Sequence, residues 1–288
     1  MKHTKILFLS FILAIAASYA MIRFLPPVTE TVSRETILET RARQSDNAFK
    51  RVMKDRRLRC AYTIYPPFFI KDPNSGEFKG IFHDILEEMG RTLDIEIDWV
   101  AEIGSDAILQ GLRTNRYDAV CPGYFITPSR ANGADFTKPV LFVPTYIYVR
   151  HDETRFQTSE DLNSGNVTMG VMDGEYSDIV QRQTFPATRT VSLMGLSSAA
   201  ERFEMVASGK ADFTVAESAL GEDYMANNPG RIKPFGPPVS IAASAILIPH
   251  NQYPLKAYLD AGINHLIFTG KLESILDRYQ GEEGTFLL

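Results

Sequence analysis

The sequence predicts an α/β protein of two lobes joined by two extended crossings. Three observations carry this. Residues 58–123 alternate strand-like and helix-like segments in the order β-α-β-α-β. Residues 166–218 repeat that order. Extended stretches flank the second block, PTYIYVRH before it and GPPVSIAASAILIPH after it, so the chain leaves one lobe, builds the other and returns. With 288 residues and 44% hydrophobic side chains there is material for two cores.

The elements follow in order. MKHTKILFLSFILAIAASYAMIRF places Lys2 and Lys5 before an uncharged run over residues 6–22 and Arg23 after it, the pattern of an export signal. Ser18 and Ala20 offer a small-residue cleavage site, yet a run of 17 residues also reaches the lower limit of a membrane span. Residues 1–24 are thus read either as a cleaved signal peptide or as an anchor in the inner membrane, and both place the rest outside the cytoplasm. Residues 25–56, opened by Pro26-Pro27, are polar and charged and read as a solvated helical leader or stalk without chemistry.

The body divides into 57–144 for the first part of lobe one, 145–237 for lobe two and 238–288 for the return to lobe one. LRCAYTIYPPFFI reads as a strand stopped by Pro66-Pro67, and KDPNSGEFKG as a hairpin tip. IFHDILEEMGRTL sets Ile81, Ile85, Met89 and Leu93 on one helical face. IEIDWV alternates as a strand. SDAILQGLRTN is a helix capped by Ser105 or Asp106, and YDAVCPG a strand ending in a tight turn. In lobe two, VTMGVMDG, TRTVSLM and FTVAES read as strands. EYSDIVQRQTF and SSAAERFEMVASGKAD read as helices, the second capped at Ser197 or Ser198 and stopped at Gly209. The end of the chain reads as two helices split at Gly270.

Composition and motif content exclude several functions. A net charge of −5, with no basic stripe, argues against nucleic-acid binding. The five histidines show no ligand spacing and there is no Cys-x-x-Cys, so neither a metal nor a cofactor is expected. Nucleophile-elbow, P-loop and dinucleotide fingerprints are missing. Asp84, alone on its helix, reads as structural. Cys60 and Cys121, in an exported chain, are read either as a disulfide or as two buried thiols.

A set of short motifs then appears in order over about 220 residues: YPPF at 65–68, G-x-F-x-G-x-x-x-D from Gly76 to Asp84, GLRTNRYDAV at 111–120, ITPSR at 126–130, DFTKP at 135–139, VMDGEYS at 171–177, SGKADFTVAES at 208–218 and GKLESILDRY at 270–279. The chain resembles the family 3 extracellular solute-binding proteins, the polar-amino-acid receptors of ABC importers, which have the type II periplasmic-binding-protein fold. The resemblance implies a ligand held between the lobes. Arg130 would take its carboxylate through a bidentate fork, beside a helix start capped by Thr127 with Pro128 in the first turn. Gly123 and Phe125 stand where the family meets the same carboxylate, although Phe125 replaces a small polar residue. Glu217 would hold the ligand ammonium in place of the usual aspartate, and Tyr65 would lie over the ligand. Gly174, Glu175 and Tyr176 form the second-lobe loop, where small hydroxyl residues are usual; Glu175 hints at a cationic ligand side chain. Ser105 stands near a second aromatic position. In this fold Cys60 and Cys121 lie on neighbouring strands.

The resemblance implies a monomeric, periplasmic, non-enzymatic receptor that binds an amino acid and serves a membrane permease. Two alternatives stand beside it. One is a cyclohexadienyl dehydratase-like lyase with Glu217 or Glu175 as general acid. The other is a membrane-anchored receptor or scaffold with a degenerate cleft.

Overall fold

The computed structural model describes residues 47–104, 107–195 and 197–279. The export or anchor segment, most of the stalk and the Ser105 and Asp106 caps lie outside the described residues. Among the described residues no helix is long and apolar enough to cross a membrane.

Helix α1 (Asn47–Asp55) precedes β1 (Arg57–Tyr62), the hairpin β2 (Ile70–Lys71) and β3 (Phe78–Lys79), α2 (Ile81–Leu93), β4 (Glu96–Glu102), α3 (Ile108–Arg113), β5 (Ala119–Phe125), the single turn α4 (Pro128–Ala131) and β6 (Asp135–Phe136). The crossing strand β7 (Leu141–Arg150) leads to β8 (Thr168–Met172), α5 (Tyr176–Thr184), β9 (Arg189–Leu193), α6 (Ala199–Ala207), β10 (Phe213–Glu217) and α7 (Ser218–Asn227). The return strand β11 (Ile232–Ile248) is followed by α8 (Tyr253–Phe268) and α9 (Lys271–Leu276).

The strands run in the order β4-β1-β5-β11-β7-β10-β8-β9, with β6 paired to β11. Lobe one is the parallel set β4, β1 and β5; lobe two is the parallel set β10, β8 and β9. The long antiparallel pair β7 and β11 runs between them. Its register breaks between Phe235 and Ser240, where Gly236 takes φ 71°. That bulge separates a half of β11 paired in lobe two from a half paired in lobe one.

Each parallel set is covered on both faces, as its βαβ order requires. In lobe one, α2 buries Ile81, Phe82, Ile85, Leu86 and Met89 against the sheet and against Leu259 and Ile263 of α8. Each such side chain contributes about 1.5–3 kcal/mol of burial. Asp84 is structural: it accepts from Arg278 at 3.0 Å and from the Tyr279 hydroxyl at 2.8 Å, fastening the chain after α9 to α2. In lobe two, Phe203 and Val206 of α6 pack on one face, and Phe185, Val171 and Phe213 on the other.

Cys60 on β1 and Cys121 on β5 are joined as a disulfide with Cα atoms 5.4 Å apart. Bonding of the sheet at Cys60↔Ala119 and Ala61↔Val120 brings these strands together.

Three local readings are corrected. YDAVCPG does not end in a turn; β5 continues through Pro122 and Gly123 to Phe125. A Cβ on Gly123 would stand 2.0 Å from Phe82 Cζ and 2.3 Å from Ser244 Oγ, so the glycine serves close packing. The end of the stalk is not a solvated helix, because Ala48 and Val52 of α1 are buried in lobe one. Arg51 of α1 and Arg59 of β1 both pair with the buried Asp118, Arg59 Nη2 at 3.0 Å, and the Gln252 side chain accepts from the Ala48 N–H at 3.2 Å. Finally, α7 was not expected from ALGEDYMAN.

Candidate functional site

The candidate residues stand just beyond the carboxyl ends of the four inner parallel strands. Tyr65 follows β1, Arg130 follows β5, Glu175 follows β8, and Glu217 closes β10. Open α/β sheets place ligands there. The four side chains line one cavity between the lobes, narrow in this closed arrangement at about 60 Å³.

Arg130 is held by its own short helix. Thr127 caps α4 and accepts from the Arg130 N–H at 3.4 Å, with Pro128 in the first turn. The guanidinium donates to the Phe125 carbonyl at 3.0 Å and, across the cleft, to the Gly174 carbonyl at 3.4 Å. Its carbon sits 5.1 Å from the centre of the Tyr124 ring. Arg130 is 6% exposed, and this burial pushes its pKa down from the ordinary arginine value.

On the opposite lobe Glu175 caps α5, accepting from the Ser177 N–H at 2.9 Å and the Ser177 hydroxyl at 2.6 Å. The same oxygen receives Nη1 of Arg202, a fully buried residue in α6. Arg202 also donates to Ser177 Oγ at 2.9 Å and to the Tyr65 oxygen at 3.3 Å, while its Nε has no hydrogen-bond partner. Glu217 faces this pair, and the Tyr65 hydroxyl lies 3.2 Å from Glu217 Oε2 and 3.4 Å from Glu175 Oε1.

Two carboxyls share the cavity, and their surroundings drive them apart. Burial opposes ionisation of Glu175, but the Arg202 guanidinium and the two Ser177 donors outweigh it and hold its pKa below the ordinary carboxylate range. Burial, together with the neighbouring Glu175 charge, pushes Glu217 up to about 7. Burial and the two glutamates raise Tyr65 well above the ordinary phenol value, so it remains a hydrogen-bond donor.

The structure brings Tyr65, Gly123, Phe125, Arg130, Glu175, Tyr176 and Glu217 to one cavity wall. Thr127 and Gly174 stand behind it, as the cap of α4 and the carbonyl partner of Arg130. Gly174 takes φ 72°, which turns the chain from β8 into α5. The Phe125 ring meets the Tyr176 ring edge-on at 4.7 Å. Phe68, Phe82, Tyr124 and Ser244 also line the cavity and were missed in the sequence, as was Arg202. Arg202 had a signal. It sits among Ala199, Phe203 and Val206, the buried stripe of α6, where an arginine needs a buried counter-ion.

Two lobes, two crossing strands and a charged, apolar-walled cleft define a ligand-capturing receptor. The chain belongs to the bacterial extracellular solute-binding proteins, family 3, whose sequence model matches residues 58–282. It is a solute-binding protein of an exported class, not an enzyme. Among its relatives, the probable amino-acid-binding protein YxeM of Bacillus subtilis is 21% identical over 228 residues, covering 76% of this chain and 81% of that protein. The probable ABC transporter arginine-binding protein ArtJ of Chlamydia trachomatis is 25% identical, covering 76% and 78%. The fold matches a mutant of ArgBP from T. maritima with a TM-score of 0.70 at 24% identity, covering 82% of this chain and all of that one. It also matches AncCDT-1, an ancestral amino acid-binding protein described as a precursor of cyclohexadienyl dehydratase, with a TM-score of 0.70 at 24% identity, over 80% and 98% of the two chains.

Proposed function

We propose that this protein captures an amino acid between its lobes and presents it to the permease of an ABC importer. The observation that carries the reading is the pairing of Arg130 on lobe one with Glu217 on lobe two, both buried on the wall of one cavity. Arg130 takes the ligand carboxylate through its planar fork. Glu217 takes the ammonium. Tyr65 and Phe125 cover the ligand, Gly123 leaves room for Phe82 beside it, and Thr127 and Gly174 hold Arg130 in place. Tyr176 and Glu175 form the facing wall.

A ligand that joins an arginine of one lobe to a glutamate of the other stabilises the closed arrangement more than the open one, which is what a permease can read. The lobes are 57–144 with 238–288, and 145–237, turning about β7 and β11. The body is monomeric and periplasmic. Residues 6–22 either are removed on export or hold it to the inner membrane; fractionation of cells into periplasm and membrane distinguishes the two. The names of the relatives support an amino-acid ligand and an ABC transporter setting.

The test is a thermal-shift panel of the amino acids on the full chain in mild detergent, wild type against Arg130→Ala. A ligand at a hundred times its dissociation constant adds about 2.7 kcal/mol of stability. A shift with an amino acid that disappears in Arg130→Ala is the expected outcome. A flat panel refutes the reading.

A further inference from the structure

The charges of the cleft point to the class of side chain it accepts, given the amino-acid reading on which this inference rests. Among the described residues, the charged groups on the cavity wall are Arg130, Glu175 and Glu217. Taken alone, Glu175 looks like a site for a cationic side chain. Its Oε2, however, already receives Arg202 Nη1, the Ser177 N–H and the Ser177 hydroxyl. Arg202 is fully buried and cannot turn away to solvent. Glu175 and Arg202 therefore cancel inside lobe two. One positive and one negative group are left, and the carboxylate and ammonium of an amino acid use both. A third ligand charge would be buried without a counter-ion.

The rest of the wall tells the same way. Phe68, Phe82, Phe125 and Val143 line it with apolar surface. Most wall hydroxyls are committed. Thr63 donates to the Ile103 carbonyl at 2.7 Å and meets the Tyr124 hydroxyl at 2.5 Å, and the Tyr176 hydroxyl meets Ser240 Oγ at 2.9 Å. A side-chain amide or guanidinium would lose its hydration with few partners to replace it.

We propose that the cleft selects amino acids with uncharged, apolar side chains and rejects arginine and lysine, and that Arg202 sets this choice by occupying Glu175. Arg202 is a positioning residue, since it acts on the ligand through Glu175. Two of its relatives are named arginine-binding proteins, so the inference separates this chain from them.

The experiment is calorimetric titration of the full chain, stripped of carried-over ligand by unfolding and refolding, with leucine, methionine, phenylalanine, glutamine, lysine and arginine. The wild type is expected to bind one of the first three about a hundredfold or more tighter than arginine or lysine, as an unpaired buried charge demands. Arg202→Met frees Glu175 and is expected to shift the ratio toward arginine at least about tenfold, while Arg202→Lys keeps the wild-type order. Arginine, lysine or glutamine binding tightest to the wild type overturns the proposal and leaves the amino-acid reading standing. An unchanged ratio in a folded Arg202→Met overturns the role of Arg202. If that variant does not fold, the wild-type ranking decides the selectivity, and Arg202→Gln, which removes the charge but can still hydrogen-bond Glu175, decides the role: an unchanged ratio overturns it. Binding of no amino acid at all removes the amino-acid reading and this proposal together.

Discussion

Lowering the pH should release the ligand, and Glu217 sets the range. In the free protein its pKa is pushed to about 7 from an ordinary 4.5 by burial and by Glu175. A bound ammonium restores the charged form, bringing the carboxyl back toward its ordinary value. Between these two values the free protein holds a proton that the complex lacks, so binding releases it and affinity falls as the pH falls. Full restoration gives a weakening of about tenfold from pH 8 to pH 6 and about seventyfold by pH 5, at one pKa unit per tenfold. Calorimetry at pH 6 in buffers of different ionisation enthalpy should read close to one proton released per ligand. Glu217→Gln should bind more weakly, with no dependence on pH across that range. An affinity flat from pH 5 to pH 8 in the wild type, with no proton released, would refute the assignment of Glu217 to the ammonium. The folding stability of the free protein runs the other way. The raised pKa of Glu217 favours the native state below pH 4.5, and that contribution is lost as the pH rises through about 7, on the order of 3 kcal/mol in all.

Three further outcomes follow. Glu175→Gln leaves Arg202 buried beside a neutral amide and should destabilise the fold by about 3–5 kcal/mol in urea denaturation, with much of the loss recovered in Glu175→Gln/Arg202→Met. Replacing Cys60 and Cys121 by serine opens a loop with a sequence separation of 61 residues, which on chain entropy lowers stability by up to about 4 kcal/mol, read by denaturation with and without reductant. Gly123→Ala drives a methyl into the Phe82 ring and Ser244 and should abolish the thermal shift with ligand, because both neighbours line the cavity.

The parts of the structure governed by local periodicity were legible in the sequence. The two β-α-β-α-β blocks, the cap at Thr127 and the apolar face of α2 follow from spacing and from residues with a fixed geometric role. Arg130 was legible because a Thr-Pro-Ser turn hands it a set position. What escaped depends on partners distant in the chain. Pro122-Gly123 carries a turn signal, and only the Phe82 ring and Ser244, brought in by α2 and β11, explain why it is strand. Gly221 weakens the helical pattern of α7, yet a Cβ there would stand 2.1 Å from the Tyr148 ring, so the glycine lets the helix lie close against it. The cationic hint at Glu175 was the reading of a residue without its neighbour. Arg202 lies 27 positions away and meets the same carboxylate.

Helix α1 has a mechanical consequence. Its partners Asp118, Gln252 and Tyr258 all belong to lobe one, through an ion pair, a backbone hydrogen bond and an edge-on ring contact at 5.7 Å. Any pull transmitted along the preceding chain therefore ends on lobe one and does not pass through β7 and β11. If the lobes close on a ligand as proposed, lobe one would be the frame and lobe two the moving jaw, so a leash at the amino end would restrain where the receptor goes without stiffening its bite.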